Sequence, residues 1–278
     1  MIKFFKMSGS GNDFILMDNR EGMLNFLKKD VKDFVRAICR RKVSVGADGV
    51  ILVERSEKAD FRWRFFNADG SEVEMCGNGG RCVARFAFLN GIAGERMSFE
   101  TVAGLIDAEV RGDQVKLRLT EPQVLQLNQD VAVQKEVLTV DSLNTGVPHV
   151  VAFVGNLEDF DVFRYGRSLR YHEAFQPAGT NANFVTVTGF HSLSVRTYER
   201  GVEDETLACG TGSVASALAA AARGQVDSPV DVHVRSGEIL KIHFEKIDGK
   251  FRNVYLEGRV RVVYEGQLWE EAWQDVGN

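Results

Sequence analysis

The sequence predicts an α+β fold built from two related halves, and three observations carry this. Strand-like and helix-like runs follow one another in the same order in the first and second parts of the 278-residue chain. Cys76 and Cys209 sit in matching Cys-Gly-x-Gly stretches, "EMCGNGGRC" and "LACGTGSVA", far apart along the chain. Gly104 in "TVAGLIDAEV" and Gly237 in "VRSGEILKIH" are separated by the same interval as the two cysteines. Two landmarks at one offset, with matching elements between them, point to internal duplication. The expected lobes are 1–122 and 123–263, changing near Glu121-Pro122. Residues 264–278 are expected to complete the first lobe, because the last strand-like stretch, "GRVRVVYEG", is expected to return to it.

Along the chain, "FLKKDVKDFVRAI" places Leu27, Val31, Phe34, Val35 and Ile38 on one helical face. "FRWRFF" alternates Phe61, Trp63 and Phe65 against Arg62 and Arg64, a half-buried strand that runs into the turn "NADG". From Asn78 the period becomes helical, with Val83, Phe86, Ala87 and Leu89 apolar and Asn90-Gly91 as the stop. "FETVAGLIDAEVRGDQVKLRLT" reads as strands with Gly112-Asp113 as a hairpin turn. The order then repeats: "LSVRTYERG" is a strand, "GSVASALAAAARG" a helix closed by Gly224, and "VDVHVRSGEILKIHFEKIDGK" strands around a "DG" turn.

Composition narrows the class. The chain is 44% apolar and 26% charged with four prolines, as in ordinary globular proteins. A net charge of −5 without a basic block argues against a nucleic-acid partner. No apolar run approaches the roughly 18 residues of a membrane span, and the N-terminus carries no secretory pattern. A cytoplasmic protein with reduced thiols is expected. The four cysteines, Cys39, Cys76, Cys82 and Cys209, are too sparse for a disulfide scaffold. Neither CxxC nor HExxH occurs and the five histidines are scattered, so no metal site is expected. "SGSGND" lacks the third glycine and a preceding strand of normal length for a dinucleotide loop, and no Walker lysine follows either glycine cluster.

Each paired cysteine lies where a strand turns into a helix. The first turn of a helix presents unpaired N–H groups and partial positive charge, which bind anions and lower a thiol pKa. Glycines there are expected to admit a ligand close to the backbone of Asn78-Gly79-Gly80 and Thr211-Gly212-Ser213. One such thiol suggests a nucleophile. Two, on related halves about a pseudo-two-fold axis, suggest a substrate carbon that loses a proton to one sulfur and regains one from the other on its opposite face. That operation inverts a stereocentre. Cys39 and Cys82 read as small buried hydrophobes.

These residues resemble the diaminopimelate epimerase family over essentially the whole chain. The likeness rests on "SGSGNDF", "GADGVILVE", "FFNADGSEVEMCGNGGRC", "GVPH", "GTNANFV" and "YERGVEDETLACGTGS", in the family's order. It implies two pseudo-symmetric lobes, each a mainly antiparallel sheet or barrel around a central helix, with the active site in the cleft between them. It also implies a cofactor-independent isomerase acting on LL- and meso-diaminopimelate, in lysine and peptidoglycan precursor biosynthesis. Cys76 and Cys209 correspond to the two acid/base thiols. Asn12, Asn67 and Asn181 correspond to substrate amides, Glu199 and Arg200 to the pair that grips ammonium and carboxylate, and Gly77, Asn78, Gly210 and Thr211 to the backbone cradle. His149 and Glu199 fall where the family has groups that tune the thiols. The offset between the two cysteines maps Asn67 onto Arg200, so equivalent positions carry different substrate-type side chains. That asymmetry suits a substrate with two similar ends.

Two departures concern recognition. Val147 stands where the family commonly has Asn, with Asn144 upstream as a replacement donor, and Gly49 stands where some members carry Gln. Two other readings remain: a related cofactor-free racemase of the proline-racemase type, and a non-enzymatic amino-acid-binding protein. Oligomeric state is not written in the sequence; a homodimer is the expectation carried.

Overall fold

In the computed structural model, residues 1–25 and 30–274 are described; Leu27 of the expected first helix lies outside them. The chain divides into two compact units, Met1–Leu117 with Gly258–Asn278, and Arg118–Glu257.

The first unit opens with a hairpin of β1 (Ile2–Gly9) and β2 (Asn12–Asp18), followed by α1 (Val31–Ile38), β3 (Gly49–Glu54), β4 (Phe61–Asn67) and the short β5 (Glu72–Val73). Helix α2 (Gly77–Leu89) leads into β6 (Arg96–Thr101), β7 (Gly104–Arg111) and β8 (Gln114–Arg118). The second unit contains β9 (Gln123–Val133), β10 (Glu136–Asn144), β11 (Pro148–Phe153), α3 (Val162–Arg170), β12 (Asn181–Gly189), β13 (Ser192–Glu199) and β14 (Asp204–Thr206). After α4 (Gly210–Ala222) come β15 (Val230–His233), β16 (Ile239–Ile247) and β17 (Lys250–Arg259). The chain then returns to the first unit as β18 (Arg261–Leu268), antiparallel to β1, and α5 (Glu271–Gln274).

The duplication is borne out strand by strand. The first unit pairs in the order β18–β1–β2–β3–β4–β6–β7–β8, with β5 on the flank of β4. The second pairs as β9–β10–β11–β12–β13–β15–β16–β17, with β14 on β13. In each, two pairs are parallel: those bridged by the first helix (β2–β3, β11–β12) and by the second (β4–β6, β13–β15). Parallel neighbours need such a crossover, whereas the remaining antiparallel pairs close through short connections, except β1–β18, whose strands come from opposite ends of the chain. Both ends of α4 stand from the ends of α2 at the offset that separates the two cysteines.

In both units the sheet curves around its second helix. Helix α2 packs against β1, β2, β3 and β7, and α4 against β10 through β13, β15 and β16. Helix α4, "GTGSVASALAAAA", is buried on all sides, with Val214, Leu218 and five alanines in one core with β-strand residues such as Val151, Val185 and Ile242. Small side chains let strands approach from every direction. The hydroxyls of Ser213 and Ser216 are satisfied by donating to the carbonyls of Cys209 (2.9 Å) and Gly212 (2.7 Å). On the outer face, α1 is capped by Asp30 and packs Phe34 edge-on against Trp273 of α5, ring centroids 5.6 Å apart.

One expectation is overturned. The "SGSGND" segment does follow a strand of normal length, the eight-residue β1. Lys6 conceals it: the ammonium is buried, donating to the Gly46 carbonyl and pairing with Asp13 at 2.7 Å. The strand leads into an antiparallel hairpin rather than a helix, so no dinucleotide loop forms.

Candidate active site

Both paired cysteines are helix N-caps. Cys76 and Cys209 have extended backbones, and each Sγ accepts the N–H of the residue three positions on, Gly79 or Gly212, at 3.4 Å. A thiol in this position shares the field of the helix N-terminus that favours its anionic form. The N–H groups of Gly77 and Asn78, and of Gly210 and Thr211, lie in the first turns and have no intrahelical acceptor. They can serve an anion. The Thr211 hydroxyl lies 3.6 Å from Cys209 Sγ, a second polar group on that sulfur.

In the first unit the predicted amides form one network with the capped turn. Asn78 donates from Nδ2 to Asn12 Oδ1 at 2.8 Å, and Asn12 donates to Asp48 Oδ2 at 3.0 Å. The fully buried Arg81 donates from Nη2 to Asn78 Oδ1 and Ser10 Oγ, both at 2.8 Å. Arg41 bridges Asp13 and Asp48 beneath them. Burial works against the charge on Asp13, but hydrogen bonds from Arg41 and Lys6 outweigh it and hold its carboxyl below the usual range. Asp13 therefore stays ionised, and the hydrogen bonds of the cluster fix the rotamers of Asn12 and Asn78. Asn67 stands apart, exposed at the end of β4, donating to Ser71 Oγ at 3.2 Å.

The second unit builds a different set around the equivalent turn. Asn181 is buried, donates to the Pro148 carbonyl (3.1 Å) and accepts the Arg200 backbone N–H (2.8 Å). Its carboxamide thus holds the Arg200 loop in place, with one Nδ2 hydrogen to spare. Arg200 donates from Nη1 to the Ala178 carbonyl at 2.8 Å, and Glu199 accepts from the Thr206 hydroxyl at 3.0 Å, so the two side chains are engaged in different directions. Burial pushes the Glu199 carboxyl up, against the bond from Thr206. Burial, aided by the Arg200 charge, takes the His149 imidazole down to about 3, so it is neutral at physiological pH. Asn144 is a turn former: its Oδ1 accepts the Gly146 N–H at 2.9 Å.

A Cβ on Gly80 would stand 2.8 Å from Leu117 Cδ1, and one on Gly212 only 2.3 Å from Asn183 Oδ1, so at these two positions glycine makes room for the protein's own side chains. Gly49 is likewise a packing requirement, since a Cβ there would lie 2.5 Å from the Phe66 carbonyl oxygen. Arg81 and Asn183 are the polar residues that sequence reading missed. Each lies within a motif already read for its neighbours, "CGNGGRC" and "GTNANFV", and only the fold brings it to the turn it supports. Cys39 is buried and its thiol is pushed up to about 12 by burial, an unreactive group. Among the described residues no three His, Cys, Asp or Glu side chains converge to hold a metal, and no helix is long and apolar enough to cross a membrane.

Known proteins share both the sequence and the architecture. The diaminopimelate epimerase family profile matches twice, over residues 4–125 and 142–263. The diaminopimelate epimerase of Aquifex aeolicus (strain VF5) is 47% identical over 98% of this chain and 99% of its own. That of Hydrogenobaculum sp. (strain Y04AAS1) is 48% identical over 96% and 99%. Among solved structures, a phenazine biosynthesis protein of the PhzF family from Bacillus anthracis superposes with a TM-score of 0.74 at 18% identity, covering 96% of this chain and 99% of that one. A probable proline racemase from Agrobacterium radiobacter K84 gives 0.70 at 16% identity, covering 99% and 95%. Likeness at such low identity speaks for the fold. With one family profile matching it twice over, and relatives sharing almost half its residues end to end, the chain belongs to the diaminopimelate epimerase family.

Proposed function

We propose that the protein is a cofactor-independent epimerase that interconverts LL- and meso-diaminopimelate by proton transfer between two thiols, Cys76 and Cys209. The observation that carries this reading is the pair of N-capping cysteines, each bonded to the third N–H of a buried helix at the same point of a duplicated fold.

The reaction follows from that geometry. The thiolate of one cysteine takes the α-hydrogen as a proton, and the C–H electron pair stays on the substrate as a carbanion delocalised into its carboxylate. The thiol of the other gives its proton to the opposite face and becomes the thiolate. The first-turn N–H groups of Gly77, Asn78, Gly210 and Thr211 stabilise the developing enolate charge, as preorganised donors do in other enzymes. The reading requires both sulfurs to reach opposite faces of one α-carbon. Asn12, Asn67 and Asn181 then serve the amino-acid groups, Arg200 forks a carboxylate, and Glu199 faces an ammonium. His149 and Glu199 set the field around the thiols. The protein works in the reducing cytoplasm, where its thiols persist.

The test is turnover in D2O. The wild type should place deuterium at the α-carbon of LL-diaminopimelate and leave proline untouched, while Cys76→Ala and Cys209→Ala each abolish epimerisation. Normal turnover by either variant defeats the two-thiol assignment. A homodimer is part of the same proposal, supported by the exposed Val262, Val263 and Tyr264 on β18. Light scattering on a size-exclusion column should report twice the chain mass, and a monomer at working concentration refutes it.

A further inference from the structure

Asn183 is buried beneath the first turn of α4, and its hydrogen bonds leave no freedom. Nδ2 has two hydrogens and faces two groups, the Val150 carbonyl at 2.8 Å and His149 Nδ1 at 3.2 Å. Oδ1 accepts the Thr197 hydroxyl at 2.9 Å. Turning the amide over would set its oxygen against the Val150 carbonyl, two acceptors with no proton between them, so Val150 fixes which end is nitrogen. An amide nitrogen only donates. His149 Nδ1 must therefore accept, and a neutral imidazole then carries its hydrogen on Nε2.

That Nε2–H is buried and has no hydrogen-bond partner among the described residues. A buried donor left unmade is costly, and the repeat shows that the fold does not need it. His149 follows the positive-φ Gly146 by three residues; the residue three after the positive-φ Gly11 is Phe14. In the sheet register Phe14 lies beside Gly49 as His149 lies beside Asn181, which sets Ile51 in the place of Asn183; their side chains face Gly79 and Gly212 alike. Phe14 and Ile51 are both buried. Where the first unit has two apolar side chains, the second carries a polar pair, and the charge that bears on His149 is the cationic Arg200. A lone N–H donor in a cationic field suits an anion.

We propose that Asn183 is a positioning residue that fixes His149 in the Nε2–H tautomer, so that the imidazole donates a hydrogen bond to a carboxylate of the bound amino acid and does not act as a base. Thr197 anchors the carboxamide that does this. The role in turnover rests on the epimerase reading above; the tautomer does not.

Long-range proton–nitrogen NMR of protein labelled in its histidines decides the tautomer on the wild type alone. An unprotonated Nδ1 and a protonated Nε2 are expected for His149, and a proton on Nδ1 overturns the proposal. Saturating LL-diaminopimelate should shift the Nε2–H resonance; an unmoved resonance overturns the donor role. Asn183→Asp places an acceptor against Nδ1. It should exchange the tautomer, lower kcat/KM about 10²-fold, as loss of one preorganised donor does, and add a histidine ionisation to the pH–rate profile. Full activity with an exchanged tautomer overturns the role. If that variant does not fold, Thr197→Val loosens the same carboxamide and should give mixed tautomers with a lowered kcat; an unchanged spectrum and rate count against the proposal. Should the wild type epimerise nothing, the epimerase reading falls while the wild-type spectrum still judges the tautomer.

Discussion

Gly79 and Gly212 occupy the same place, the third position of α2 and of α4, and each donates its N–H to the capping sulfur. The structure predicts that alanine is tolerated at one and not at the other. A Cβ on Gly79 would meet Ile51 Cδ1 at 3.3 Å and Cys76 Cβ at 3.6 Å, contacts that a slight shift relieves. A Cβ on Gly212 would lie 2.3 Å from Asn183 Oδ1 and 3.2 Å from Cys209 Sγ. Asn183 cannot step aside without giving up its bonds to Thr197, Val150 and His149. Each buried group so stranded costs about 1–3 kcal/mol, and overpacking about as much. Alanine returns up to about 1 kcal/mol of helix propensity at either site. Gly212→Ala should therefore lose about 2–4 kcal/mol, a fall in Tm of roughly 5–15 °C for a domain of this size, while Gly79→Ala stays within about 1 kcal/mol of the wild type. Urea denaturation of the two variants beside the wild type measures this. Equal stabilities would show that the Asn183 network yields without cost, and the reasoning would fail.

Two further outcomes concern charge in the second unit. His149 binds a proton readily when unfolded, near pH 6.5, but when folded only near 3. Its contribution to stability is thus complete above 6.5 and lost as pH falls towards 3, at up to about 1.4 kcal/mol per pH unit. His149→Leu should flatten the stability curve across that window, with Glu199, whose raised carboxyl acts in the opposite sense, common to both proteins; parallel curves by urea denaturation refute this. Asp141 is fully buried and held by both Nε and Nη2 of Arg223 at 2.7 and 2.8 Å, and it accepts the Asn128 N–H at 2.9 Å. Arg223→Met should cost about 3–5 kcal/mol by stranding that carboxylate, and adding Asp141→Leu should recover part of the loss. A double variant less stable than the single one argues against the pair.

The sequence made the helices and the turns most legible, because their signals are local. Asn90-Gly91 and Gly224 end α2 and α4 as read, and Asp248-Gly249 turns β16 into β17 with both residues at positive φ. The duplication was legible because the two landmarks kept one spacing. Strand β1 was obscured by Lys6, whose burial depends on Asp13 and Gly46 and so on the tertiary fold. Helix α3 carries Gly166 in its interior, against its propensity, because a Cβ there would meet Tyr198 Cβ at 2.3 Å. At the site, Cys76 and Cys209 could be picked out from motif and spacing. Asn183 could not, for nothing in "NANF" tells which asparagine turns inward to a histidine 34 residues away.

The position that β9 fills in the second unit is filled in the first by β18, drawn from the far end of the chain. This has a consequence for biosynthesis. A ribosome delivers all the strands of the second unit in one continuous passage, so that half can close as it emerges. The earlier half must wait, its β1 flank and the α1 surface under Trp273 uncovered, until the last strand is released. The unit made first is finished last, and an exposed strand edge during that delay is where misassembly between nascent chains would begin.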